Sequence, residues 1–257
     1  MSDIVRTETG QNGLARYEEL LLRRDNLRKE AEQMQISYIR AFGDLIVGSY
    51  EIRIECIKKK KIITWCQQQV NHGKKINGAQ LDNFILKEME EYRKELERLV
   101  GQNKAVKSSG RVSEYDLYRI KKLYRALAKL IHPDLHPELA GDPNLAEFWN
   151  LIVLAYEHNR LEDLEELEFR VRRYLEEHGK GGGEIVIPDL TEKIAAVEAE
   201  IAQITSTEPY LYRLLLTDEQ AVEEKKQELR REIDSYTAYA KQLDEIIAQF
   251  EIERYYS

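Results

Sequence analysis

Apolar positions recur three and four residues apart over most of this chain. From Leu14 a seam of Tyr17, Leu20, Arg24, Leu27, Ala31, Met34, Tyr38, Ala41 and Leu45 predicts a long helix that packs lengthwise on another. The pattern resumes through Ile52, Ile54, Ile57, Ile62 and Trp65 and fades at Asn71-His72-Gly73. Gly43 and Gly48 weaken helix propensity between the two stretches, so a bend is expected there. Residues 71–78, NHGKKING, read as a loop. A second helix is predicted over 79–100, with Leu81, Ile85, Met89, Tyr92, Leu96 and Leu99 inward, folding back antiparallel across that short connection. Residues 1–12 are polar and expected to fray, and 101–111, GQNKAVKSSGR, read as a loop.

The centre of the chain carries a shorter pattern. Leu117, Ile120, Leu123, Leu127 and Leu130 make one apolar stripe, and Arg119, Lys121, Lys122, Arg125 and Lys129 lie between them. Ser113 suits the N-cap, and Pro133 disfavours helical geometry at His132, so this basic helix is expected to stop there. The next helix begins near Pro143 with Asp142 as N-cap; Leu145, Phe148, Ile152 and Ala155 form its stripe. Trp149, Leu151, Val153, Leu154 and Tyr156 make it apolar nearly all round, which predicts that other parts of the chain clasp it. A helix over 161–178 turns Leu164, Leu167, Val171 and Leu175 inward and shows an acidic outer face. GKGGG at 179–183 reads as a linker. The seam restarts at Leu190, Ile194, Val197, Ile201 and Ile204, breaks around Pro209, and continues through Leu229, Ile233, Tyr236, Ala240, Leu243, Ile247 and Phe250. The two segments read as a helical hairpin whose longer arm needs a further partner, either the N-terminal hairpin or another subunit in a homo-oligomer.

The fold expected is therefore all-α: a short central hairpin embedded between long antiparallel coiled-coil helices. The divisions are 1–107, an N-terminal helical hairpin; 108–178, the central module; 179–189, a Gly-rich linker; and 190–257, a C-terminal hairpin. Composition agrees, with 33% charged residues, 5 Pro and 13 Gly and a mean hydropathy of −0.58. A net charge of −8 argues against nucleic acid or an anionic membrane as the main partner. Lys58 to Lys61 point in four directions around a helix and read as a solvated stretch rather than a patch. With no apolar leader, no run of transmembrane length, and Cys56 and Cys66 too far apart on one helix to bridge, a reduced cytoplasmic protein is expected.

No catalytic constellation is visible: there is no Gly-rich phosphate loop, and neither cysteine has a histidine on its face. His132-x-Asp134-x-His136 has metal-ligand residue types but names no fourth ligand. The chain is expected to be no enzyme and to hold no metal or cofactor. The basic helix with Leu-Tyr-Arg-Ala-Leu-Ala-Lys, then His132-Pro133-Asp134, then Phe148…Ile152…Ala155-Tyr156 resembles the J-domain, the DnaJ-like co-chaperone module. The resemblance covers about a quarter of the chain and departs from the family in two places. The short helix that usually precedes the basic one is missing, with 81–99 a candidate substitute, and Leu135 stands where a basic residue usually follows the tripeptide. The resemblance implies docking on a heat-shock-70 chaperone through Arg119, Lys122, Arg125 and Lys129. It implies stimulation of that partner's ATPase through His132, Pro133 and Asp134, with the helical arms selecting a client. The alternative is an assembly scaffold that keeps the J-like fold without chaperone coupling.

Overall fold

The computed structural model describes residues 2–108, 110, 112–139, 141–179 and 187–253, with side chains from Asn12 to Glu251. Among these residues there are nine α-helices and one pair of two-residue parallel strands, so the chain is all-α. The helices are α1 (Ser2–Asn71), α2 (Gly78–Glu88), α3 (Glu90–Ser108), α4 (Glu114–Ile131), α5 (Pro143–Glu157), α6 (Leu161–Glu177), α7 (Leu190–Ser206), α8 (Tyr212–Leu216) and α9 (Glu219–Ile247). The strands are β1 (Ile76–Asn77) and β2 (Ile252–Glu253). Helix α1 starts at Ser2, where fraying is expected from the sequence, and continues through Gly43 and Gly48. Helix α3 runs to Ser108, through Gly101 and most of the stretch that reads as a loop. The linker GKGGG lies outside the described residues except for Gly179.

The chain divides into two compact units. One comprises residues 1–34 and 110–211, the other 35–109 and 212–257. The boundaries fall inside α1 and between α7 and α8, so each long apolar seam is shared out, α7 going to the first unit and α9 to the second.

In the first unit, α4, α5 and α6 form a three-helix core. Ile120, Leu127, Ile152, Leu164 and Val171 are fully enclosed, and Leu22 of α1 joins them. Tyr124 stacks on Tyr156, and Ile131 lies beside Leu145, which runs α5 antiparallel to α4. Asn144 and Phe148 meet Tyr174, which returns α6 antiparallel to α5. All four predicted inward residues of α6 are buried. Helix α5 is enclosed at Leu145, Ile152, Ala155 and Tyr156, but Leu151 and Leu154 remain exposed, so the clasp is incomplete. A second cluster joins Tyr17, Leu20, Leu21, Leu27 and Ala31 of α1 to Val197 and Ile201 of α7, with Leu135 and Tyr210. The caps are those the sequence suggests: Ser113 Oγ accepts from the Asp116 amide at 3.0 Å, and Asp142 from Asn144 and Leu145.

In the second unit, the carboxyl-terminal part of α1 pairs antiparallel with α2 and α3. Trp65 stacks on Phe84, Lys61 pairs with Glu88, and Asp44 receives Asn103 and Lys107. The expected single helix over 79–100 is broken at Met89, which is buried against Cys66, Ile76, Leu81 and Ile85. Helix α9 runs alongside α1 in parallel, Ile233 facing Gly48 and Cys56, Ala240 and Leu243 sharing one cluster. Here the long arm finds its partner within the chain. Gly43 has a concrete role, since a Cβ there would collide with the Asn103 side chain. The lysine run is paired, and Lys59 is largely buried rather than solvated: Lys58 faces Glu55, Lys59 binds Asp244, Lys61 binds Glu88, and Lys60 lies over Tyr239. Cys56 and Cys66 are free thiols, both buried.

Candidate functional site

The turn His132-Pro133-Asp134 closes the α4–α5 hairpin because α4 ends at His132, whose φ/ψ of −58/125 is non-helical, as the residue before a proline requires. Pro133 is exposed and Asp134 half-exposed at the tip. His132 is not: it is 3% exposed, with its ring edge-on to Trp149. The ring Nδ1 accepts from the Asp134 amide at 3.0 Å, so the neutral ring carries its proton on Nε2, which faces Asp25 at 3.9 Å. Burial pushes the His132 pKa below the ordinary histidine value, against the opposing pull of Asp134 and Asp25.

Asp25 is the hub of a buried polar network. It pairs with Arg24 at 2.9 Å and accepts the Tyr124 hydroxyl at 2.9 Å. Tyr124 is held far above its usual pKa, by burial first and then by the Asp25 charge. Lys29, 4% exposed, donates to the Tyr156 carbonyl at the end of α5 and lies 3.8 Å above the Tyr156 ring. Burial lowers its pKa to about 8. Arg24 extends from the network to the loop, reaching Asp134 at 4.0 Å and Glu200 at 3.8 Å. These groups line an open recess of about 290 Å³ beside the tripeptide, with Trp149 and Tyr156 as its aromatic wall.

The predicted docking residues fall into two sets. Lys129 is held by Glu18 of α1 at 2.6 Å, and Arg119 pairs with Glu165 of α6 while lying over the Tyr115 ring. Lys121, beside them, pairs with Glu30 at 3.1 Å. Lys122 and Arg125 are exposed. Leu135 is buried in the α1–α7 cluster, which explains its identity: a lysine or arginine there would place its charge among leucines. The helix packed on the α4–α5 pair besides α6 is the first part of α1. Residues 81–99, the candidate substitute for the missing J-helix, belong to the second unit.

Asp25 and Lys29 escape a reading of periodicity. The signal available was Arg24 at a seam position with Asp25 beside it, since a charge inside an apolar seam calls for a buried partner. His136 directs its ring nitrogens at the Lys129 carbonyl and at Glu138, and among the described residues no three His, Cys, Asp or Glu side chains are grouped to hold a metal ion. His158 and His178 each place Nδ1 on a carbonyl four residues earlier, at the ends of α5 and α6. Among the described residues no helix is long and apolar enough to cross a membrane. Compared with known proteins, the chain matches no family model, no curated protein and no solved structure.

Proposed function

We propose that this chain is a J-domain-type co-chaperone of the cytoplasm, itself no enzyme, which docks on a heat-shock-70 chaperone and stimulates its ATP hydrolysis. The observation that carries the reading is the turn between α4 and α5: Pro133 and Asp134 are accessible at its tip, and Lys122 and Arg125 are exposed along the helix leading to it. Asp134 would accept paired hydrogen bonds from a partner arginine. The free cations would steer α4 onto an acidic surface. The helices of the second unit would carry the client or location signal.

The burial of His132 and Leu135 favours a second reading, an assembly scaffold in which the same turn serves only packing. Single-turnover ATP hydrolysis by the heat-shock-70 chaperone of the source organism separates the two. Asp134→Asn is the decisive variant, because the Asp134 carboxylate is half-exposed and touches the network only through Arg24 at 4.0 Å; His132→Gln is measured beside it together with its thermal unfolding. Stimulation by the wild type that Asp134→Asn loses, with an unchanged melting curve, supports the co-chaperone. Folded wild-type protein that leaves the rate unchanged supports the scaffold.

A further inference from the structure

The turn after α4 hangs on His132. Pro133 has no amide hydrogen to give. The amides of Leu135 and His136 both donate to the His132 carbonyl, at 2.9 and 2.8 Å. The remaining amide, that of Asp134, donates to the His132 ring at Nδ1, 3.0 Å away. A backbone carbonyl accepts at any pH, whereas an imidazole nitrogen accepts only while it carries no proton. Of these bonds, the grip on Asp134 is the one that acid removes. Arg24 reaches the Asp134 carboxylate at 4.0 Å, beyond hydrogen-bond distance, and does not replace it.

The surroundings resist that proton without forbidding it. His132 is buried, so a proton added at Nδ1 sets one N–H against another in a ring with little access to water. From α1, Asp25 faces Nε2 at 3.9 Å but is already engaged by Arg24 and by the Tyr124 hydroxyl of α4. Asp134 and Asp25 favour the imidazolium, while Arg24 and His136 oppose it. His136 faces Glu138, and Glu200 of α7 lies on Arg24. Helix α5 sets the Trp149 ring against His132. Lys29, Glu32 and Glu157 line the same recess.

We propose that His132 is a proton-operated latch on this turn: its neutral ring holds the Asp134 amide, and with it the carboxylate at the tip, and the protonated ring releases both. The latch concerns the shape of the turn and holds whatever binds there. Burial keeps the folded ring below the ordinary histidine value of about 6.5, so the unfolded chain takes up the proton first. The latch is therefore shut at pH 7 and above. Stability falls as the pH drops below about 6.5, until the folded ring is itself protonated. A partner that reads Asp134 meets a fixed carboxylate at neutral pH and a released one in acid.

The test is nuclear magnetic resonance on the full chain, isotope-labelled in histidine and aspartate and titrated from about pH 7.5 to about pH 4.5. The His132 ring should carry its proton on Nε2 at the upper end and titrate below the ordinary value. In step with that titration, the Asp134 amide should lose roughly tenfold in protection from hydrogen exchange, the scale of one lost hydrogen bond. The Asp142 amide, which donates to the Leu139 carbonyl at 3.0 Å, is the control and should keep its protection. In His132→Asn the side-chain oxygen takes the place of Nδ1 and does not titrate, so Asp134 should stay protected throughout. Should that variant not fold, the wild-type tautomer and the paired titrations decide alone. A proton on Nδ1 at pH 7.5, or an Asp134 amide unmoved while the ring titrates, overturns the latch. So does loss of protection at Asp142 in step with Asp134, which means unfolding of the unit. An Asp134 amide that opens in His132→Asn as it does in wild type also overturns it, and assigns the opening to a carboxylate.

Discussion

The second unit joins α1, α2 and α9 through apolar contacts, Cys66, Ile76, Leu81, Ile85 and Met89 in one cluster and Cys56, Ala240 and Leu243 in another, and ties α3 to α1 through Asp44 with Asn103 and Lys107. Its ion pairs lie at the surface apart from the largely buried Lys59 end of the Lys59–Asp244 pair, and among the described residues its one buried polar residue is Ser49. The first unit is built of similar helices but buries Asp25, Lys29, His132 and Asp142 among its leucines and tyrosines. Asp142 is a helix cap and needs no further account. Asp25 and His132 meet at the turn at the tip of the α4–α5 hairpin, and Lys29, on the Tyr156 carbonyl farther along α5, lines the same recess. Buried charge is costly and adds little net stability even when paired. Its concentration in one unit, beside one turn, marks that turn as the place where a particular arrangement, rather than mere compactness, is being held.

The most severe way to break this contrast is Leu135→Lys, which restores the residue type of the J-domain pattern. Leu135 sits between α1 and α7 against Tyr17, Leu20 and Leu21, so an ammonium there is expected to cost about 3 to 5 kcal/mol. The two tryptophans make the measurement selective. Trp149 lies in the first unit and Trp65 in the second, so single-tryptophan variants, each with the other indole replaced by phenylalanine, report each unit's urea transition. The Trp149 midpoint should fall far more than the Trp65 midpoint. Equal shifts would mean that the units do not unfold separately, and no shift would mean that Leu135 is not a core residue.

How much of this was legible in the sequence follows the same division. Period-3.6 patterning identifies α1, α6, α7 and α9 and all the inward residues of α6, because burying an apolar stripe needs only the right spacing, but it misses the buried Leu21, Leu22 and Phe42 of α1, which meets partners on more than one side. Capping residues Ser113 and Asp142 locate two helix starts, because the chemistry of a cap is local. Which stripe meets which is another matter. Helices α7 and α9 look like two arms of one hairpin, yet their seams are buried in different units, and spacing alone does not encode a partner. The break at Met89 and the helical continuation past Gly101 are tertiary overrides of local propensity. The site was half legible. The tripeptide, the basic helix and their order along the chain are local. The neutralisation of Lys121 and Lys129 by Glu30 and Glu18, about ninety and more than a hundred residues away in sequence, is not. His132 as the end of α4 is local, and its burial comes from Trp149 and Asp25, neither of them its sequence neighbour.

A smaller effect sharpens the contrast through pH. In the folded chain Lys29 titrates at about 8 rather than 10.5 because burial disfavours the ammonium, with Glu32 and Glu157 opposing and Lys121 reinforcing the shift. Below pH 8 both folded and unfolded chains hold the proton and the burial penalty is fully present. Between pH 8 and 10.5 the unfolded chain binds more protons, so stability rises with pH, and above 10.5 the penalty is gone. The rise attributable to Lys29 is roughly 3 kcal/mol. Tyr124 and Tyr156 have raised pKa values and pull the other way at high pH, in wild type and variant alike. Lys29→Met therefore isolates the term: the wild-type curve minus the variant curve should climb from pH 8 to 10.5, with the variant at least as stable as wild type at pH 7. A flat difference would show that Lys29 is solvated in solution and the network beside the turn open.

The smallest effect belongs to the second unit. Lys59 binds Asp244 at 2.6 Å, and this pair joins α9 to α1. Removing the carboxylate by Asp244→Ala leaves the ammonium on the Ala240 carbonyl at 3.3 Å and near Glu55, so no charge is stranded. The expected loss is about 0.5 kcal/mol, read from the Trp65 transition. It should disappear in 1 M salt, where screening acts over about 3 Å. A loss above about 1.5 kcal/mol, persisting in salt, would mean that α9 is held by a specific polar contact rather than by Cys56, Ala240 and Leu243. The second unit would then resemble the first, and buried polar contacts would no longer single out the turn at Asp134.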